Sequence, residues 1–81
     1  MGKINKIFEK VMSGSSDANL SFDEICSLLQ RLGYLMRSTK GSHVIFARGA
    51  SFLNLQNQGG KAKSYQVRQV REELKKLNLE P

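Results

Sequence analysis

The 81-residue chain contains one histidine, His43, and one cysteine, Cys26. An imidazole ordinarily titrates near pH 6.5, so a histidine can take up or give up a proton at cellular pH. His43 is therefore the first candidate for general acid–base work. It lies in Ser42-His43-Val44-Ile45-Phe46-Ala47, a run rich in β-branched and aromatic residues. Period two sends Ser42, Val44 and Phe46 to one side and His43, Ile45 and Ala47 to the other. Val44 and Phe46 are the better core residues, which puts His43 on the open face, close after a turn carrying Lys40. The plain alternative is a surface histidine without a task. No partner nucleophile or base accompanies it. The sequence has no Cys-His pair at helical spacing and no G-x-x-x-x-G-K phosphate loop. One cysteine and one histidine leave no internal disulfide and too few ligands for a structural zinc site. The expectation is a domain that needs neither metal nor small-molecule cofactor.

Charge narrows the choice of partner. Thirteen Lys+Arg against seven Asp+Glu give a net charge of +6. The 47 residues between Glu24 and Glu72 contain no carboxylate and eight cations, Arg31, Arg37, Lys40, Arg48, Lys61, Lys63, Arg68 and Arg71, for a local charge of +8. So long a stretch without acid favours a polyanion, nucleic acid above all. The alternative is a basic protein whose charges merely face solvent. No apolar run approaches the roughly 20 residues that cross a bilayer. The first twelve residues alternate Lys with apolar residues where a signal peptide would have a continuous apolar core. The expected setting is the cytoplasm, with no membrane partner.

Three helices and three strands must position these side chains. Ile4, Ile7, Phe8, Val11 and Met12 form a helical stripe over residues 3–12, and the Ser- and Gly-rich residues 13–19 break it. Ser21 and Glu24 make a capping box with Leu20 and Ile25 as a hydrophobic staple, opening a helix whose stripe is Ile25, Leu28, Leu29 and Leu32. Gly33 ends it in the left-handed position. Cys26 lies beside that stripe as a small, unreactive thiol. Tyr34–Thr39, Ser42–Ala47 and Ser51–Gln56 read as three strands joined by turns at Lys40-Gly41 and Arg48-Gly49-Ala50. Residues 57–63 read as a polar, flexible loop in which Lys61 and Lys63 touch phosphates. A last helix begins at Ser64, with Val67, Val70, Leu74 and Leu77 on its stripe. The fold class is α+β, a three-stranded antiparallel meander with helices on one face and an extra N-terminal helix. It divides into an N-terminal helix and linker, 1–19, and a main domain, 20–81.

Leu28-Leu29-Gln30-Arg31-Leu32-Gly33-Tyr34, followed by Lys40-Gly41-Ser42-His43-Val44-Ile45-Phe46, resembles the signature of HicA-type (YcfA-like) toxins of bacterial toxin–antitoxin systems. Tyr65-Gln66-Val67-Arg68-Gln69-Val70-Arg71 is similar to the closing helix of a longer subgroup. The likeness runs from about Phe22 to Leu77, and residues 1–19 depart from the shorter family members. The resemblance implies a double-stranded-RNA-binding-domain-like fold and an endoribonuclease, an mRNA interferase that cuts mRNA and arrests translation. It implies a HicB-type antitoxin as protein partner, and the family's catalytic histidine carries over onto His43, with Gly41 and Ser42 in the motif around it.

Cutting RNA without a metal needs a base for the 2′-OH proton and an acid for the departing 5′-oxygen, and an imidazole can serve as either. Cations near the scissile phosphate stabilise its added charge. Lys40 is the nearest in sequence, Arg37 and Arg48 the next, and Ser42, Lys61 and Lys63 complete the expected RNA-binding set. Two other functions fit the same residues: a non-catalytic RNA-binding module, or a basic domain that pairs with an acidic protein.

Overall fold

The computed structural model describes residues 2–81. In chain order the elements are α1 (Lys3–Ser13), α2 (Phe22–Arg31), β1 (Leu35–Lys40), β2 (His43–Arg48), β3 (Ser51–Gln58), β4 (Lys61–Ala62) and α3 (Ser64–Leu77). The strands form one antiparallel sheet in the order β1-β2-β3-β4.

The capping box forms as its spacing demands. Ser21 Oγ accepts from the Glu24 N–H and Glu24 Oε1 accepts from the Ser21 N–H, both at 3.0 Å. Two of the helix's unpaired N-terminal donors are thereby satisfied. Phe22, Ile25, Leu28 and Leu29 are buried on its inner face. In α3 the buried residues are Gln66, Val67, Val70 and Leu74, while Leu77 is exposed, one turn short of the expected stripe. The helix stops at Asn78 in a left-handed conformation, and Leu79 folds back against the core where Leu77 was expected.

The helices lie on one face of the sheet. Val44 and Phe46 of β2, Leu53 and Leu55 of β3 and Ala62 of β4 meet them in a single apolar core. α1 packs across α2 and α3, and its Ile7 and Val11 enter that same core. Arg71 of α3 ties down the segment after α1. It donates to Asp17 Oδ1 at 2.9 Å and Oδ2 at 3.1 Å, and to the Val11 carbonyl at 3.0 Å. A two-pronged bond of this kind fixes orientation as well as attracting charge.

Residues 57–63 correct the sequence expectation of three strands and a loop. β3 continues to Gln58, and Lys61 and Ala62 pair back on it through a two-residue turn. Gly59 and Gly60 both have positive φ, 61° and 90°, as the tight hairpin turn that matches strand twist requires. The side chain of Asn57 accepts the Gly60 N–H at 2.8 Å. Polar composition suggested a loop, but the glycine pair is a hairpin signal.

The two edges of the sheet differ. β4 is closed on its outer side by the chain entering α2, through Ala62 N–H to Leu20 O, Phe22 N–H to Gly60 O and a bridge between Ser21 and Lys61. Among the described residues β1 has no strand beyond it, and Leu35, Met36, Arg37, Thr39 and Lys40 are all exposed. Leu35 and Met36 are 65% and 47% exposed. The edge that follows the Leu-Leu helix thus overhangs the helical layer.

Candidate functional site

The open face is organised by strand register. Lys40, His43 and Gln56 lie opposite one another across β1, β2 and β3. The next row holds Ile45 and Asn54, and the far row Leu35, Ala47 and Phe52. Side chains directly opposite in an antiparallel pair stand about 5 Å apart at Cβ, close enough to act on one small group. His43 is exposed and its ring makes no hydrogen bond among the described residues. The strand that carries it is held from behind. The buried Gln66 side chain accepts the Gln56 N–H at 2.8 Å, and Asn57 N–H donates to the Ser42 carbonyl at 2.9 Å. Lys40, His43, Ile45 and Asn54 line one shallow hollow.

The sequence left open whether the cations share the side of His43. Arg37 and Lys40 are three residues apart, a spacing that would divide them between the two faces of a regular strand. A bulge resolves this. The register slips between Met36 and Ser38, leaving Arg37 as the extra residue and restoring Lys40 to its place opposite His43. Arg37 lines a second hollow of about 490 Å³ with Leu35, Ile45, Ala47 and Phe52, so both cations serve the open face.

Arg48 has the opposite parity to His43, and its head is tethered. Its Nε–H donates to the Leu32 carbonyl at 2.9 Å, across Gly33. Gly33 has φ 95°, which favours glycine, and a Cβ there would crowd Arg48 Nε at 3.2 Å. Arg48 closes the rim of the second hollow with its outer nitrogens unpaired among the described residues.

Ser42 is exposed in the β1–β2 turn and its hydroxyl accepts from Gln56 Nε2 at a long 3.4 Å. Lys61 sits on β4 at the same end of the sheet as His43, since antiparallel order brings the β1–β2 and β3–β4 turns together. Lys63 precedes α3 and its ammonium stands 5.8 Å from the Tyr65 ring centre. The two lysines are thus separate from Arg37, on the edge strand β1, and from Arg48, at the far end of β2. Ile45, expected to be exposed, is half-buried. It joins the two hollows.

Phe52 is the functional-looking residue that sequence reasoning passed over. It is 67% exposed, although Phe is costly to leave in water. The signal was available. Ser51, Leu53 and Leu55 alternate with Phe52, Asn54 and Gln56, so an aromatic stands among amides on the polar side of β3. Nothing on the strands opposes anionic ligands, because β1 to β4 contain no acidic residue.

Other polar groups are engaged internally. The Tyr34 hydroxyl lies 2.7 Å from Ser51 Oγ, which donates to Glu73 at 2.6 Å. Burial, with Asp23 nearby, pushes the Cys26 thiol up to about 11, which keeps it protonated and unreactive. Among the described residues, no three His, Cys, Asp or Glu side chains come together to hold a metal ion. No described helix is long and apolar enough to cross a membrane. No protein family, characterised protein or solved structure matches the chain in comparison. Chemically, the open face offers one proton-transfer group, one cation directly opposite it, amide donors beside it, and an apolar hollow with two guanidinium groups.

Proposed function

We propose that the protein is an RNA endonuclease of the HicA toxin type. It cuts messenger RNA in the cytoplasm and is silenced by a HicB-type antitoxin. The observation that carries this reading is the row Lys40–His43–Gln56, with an exposed imidazole on a face free of carboxylates. The run of α2, antiparallel strands with the short β4 added, and α3, with the helices on one face, also supports the double-stranded-RNA-binding-like architecture that the resemblance implies.

His43 takes the proton from a 2′-OH while water supplies one to the departing 5′-oxygen, or it protonates that oxygen while water takes up the 2′-OH proton. The 2′-oxygen attacks phosphorus, the P–O5′ bond breaks, and the products are a 2′,3′-cyclic phosphate and a 5′-hydroxyl. Lys40 stabilises the extra negative charge on the phosphate during the attack. Proton transfer of this kind contributes about 10²–10⁴-fold. Carboxylates of the antitoxin replace RNA phosphates over the same cations, and their long-range attraction is screened beyond about 8–10 Å in physiological salt. A second reading, an RNA-binding module without catalysis, is favoured by the lack of another acid or base in the row.

Growth on induced expression separates the two. Growth arrest that His43→Ala abolishes, in a variant that stays folded, supports the nuclease. Arrest that persists in His43→Ala removes the imidazole from the mechanism.

A further inference from the structure

The second hollow does not belong to the proton-transfer row. Its floor is Ala47, only 7% exposed although it lies on the open face, because Leu35 and Phe52 stand on either side of it. Both walls are largely exposed, at 65% and 67%. The rim carries Arg37, re-aimed by the bulge, and Arg48, held by the Leu32 carbonyl. An apolar slot with an aromatic wall and two cations fits a flat, uncharged ring joined to anionic groups. A nucleobase and its flanking phosphates have that chemistry.

We propose that this hollow is a subsite for one unpaired base of a single-stranded RNA, stacked on Phe52, with adjacent phosphates on Arg37 and Arg48. The inference rests on the reading of the protein as RNA-directed. Ala47 is four residues from His43 along β2, about 13 Å at the usual rise per strand residue. A few nucleotides of single strand cover that distance, so the base lies away from the bond cut at His43. A paired base keeps both faces stacked on its neighbours and cannot enter the slot. Phe52 therefore selects unpaired RNA, and the small Ala47 sets the depth of the slot.

The test uses the full chain carrying His43→Ala, so that RNA is not cut, and a short single-stranded oligoribonucleotide containing 2-aminopurine. The same oligoribonucleotide annealed to its complement is the control. Base–aromatic stacking predicts that adding Phe52→Ala raises Kd for the single strand about 5- to 100-fold and leaves the duplex unchanged. Phe52→Trp should restore binding, and the fluorescence change on binding should differ between the variants with and without an aromatic residue at position 52. Filling the floor with Ala47→Leu should weaken the single strand as well.

If the parent binds the single strand and Phe52→Ala binds it equally well, the subsite is wrong while the RNA reading stands. Tighter binding of the duplex than of the single strand also overturns the subsite alone. If the parent binds neither form, the RNA reading fails and the subsite with it. Unchanged RNA affinity in Phe52→Ala, joined to loss of a complex with a purified acidic partner protein, assigns the hollow to protein docking instead.

Discussion

Arg71, on α3, holds Asp17 with two hydrogen bonds of 2.9 and 3.1 Å, whereas Arg37, on the β1 bulge, has no hydrogen-bond partner among the described residues. The contrast extends to the surroundings of each. Around α3, Tyr34, Ser51 and Glu73 form a chain of hydrogen bonds, and among the described residues no buried side-chain polar atom lacks a partner. On the open face, His43, Lys40, Arg37 and Phe52 reach solvent on the side of the sheet away from the described helices. Paired polar groups in the first region hold the fold, and unpaired ones in the second are available to a ligand. Elements that bind tend to be drawn from the less buttressed parts of a structure, positioned by a rigid scaffold behind them.

The largest effect expected from this division is at His43. His43→Ala should lower RNA cleavage about 10²–10⁴-fold. Its melting temperature should be essentially that of the parent, because exposed substitutions away from special features shift stability by about 0.5 kcal/mol or less. Thermal unfolding run beside a cleavage assay checks both halves. A cleavage loss that only follows unfolding would erase the distinction between the two regions.

On the packed side, Cys26 should resist alkylation. With its thiol raised from 9.0 to about 11, the thiolate fraction at pH 8 is lower by about 100-fold than in the unfolded chain. Native protein treated with iodoacetamide at pH 8 should react more slowly than denatured protein. The same shift carries a pH dependence. The thiol's contribution to stability is complete below its unfolded value of 9.0 and is lost as pH rises towards about 11, because the unfolded chain gives up the proton first. Cys26→Ala should flatten that alkaline decline.

Ser51→Ala sharpens the comparison in kcal/mol. It removes the hydroxyl between Tyr34 and Glu73 and leaves the buried Tyr34 hydroxyl without its partner. The expected cost is about 1–3 kcal/mol. RNA affinity of the folded fraction should not change. Urea titration and a binding assay at low denaturant separate these.

The smallest effects concern phosphate contacts. Each phosphate neutralised on a single strand contributes about −0.7 to the slope of log K against log salt. Arg37→Ala should flatten the slope by about that amount. Lys63→Ala, whose ammonium stands over Tyr65 at the other edge, should flatten it less. Equal slopes for the two variants would mean that the bulge edge has no privileged role.

The helices and the placement of His43 were legible because local rules decide them. Ser21 and Glu24 are three residues apart, Ile25, Leu28 and Leu29 share a face, and Val44 and Phe46 outcompete Ile45 for the core. The Arg37 bulge was not legible. It depends on how β1 pairs with β2, and nothing in Leu-Met-Arg-Ser-Thr-Lys marks where one residue slips. Sequence places Arg48 among the RNA-binding cations without showing its tether, the Leu32 carbonyl sixteen residues away. β4 was missed because amide-rich composition outweighed a Gly-Gly turn. Leu77 was placed inside because the stripe continued, whereas the left-handed turn at Asn78 substitutes Leu79.

The central claim is that His43 transfers a proton in cleavage driven by the 2′-OH. Identification of the ends left on a cut RNA tests it most directly, in the wild type and in His43→Ala. The expected result is a 2′,3′-cyclic phosphate and a 5′-hydroxyl from the wild type, no cut where the 2′-oxygen is removed, and loss of the products in His43→Ala. A 5′-phosphate product, or the same products at the same rate from His43→Ala, would contradict it.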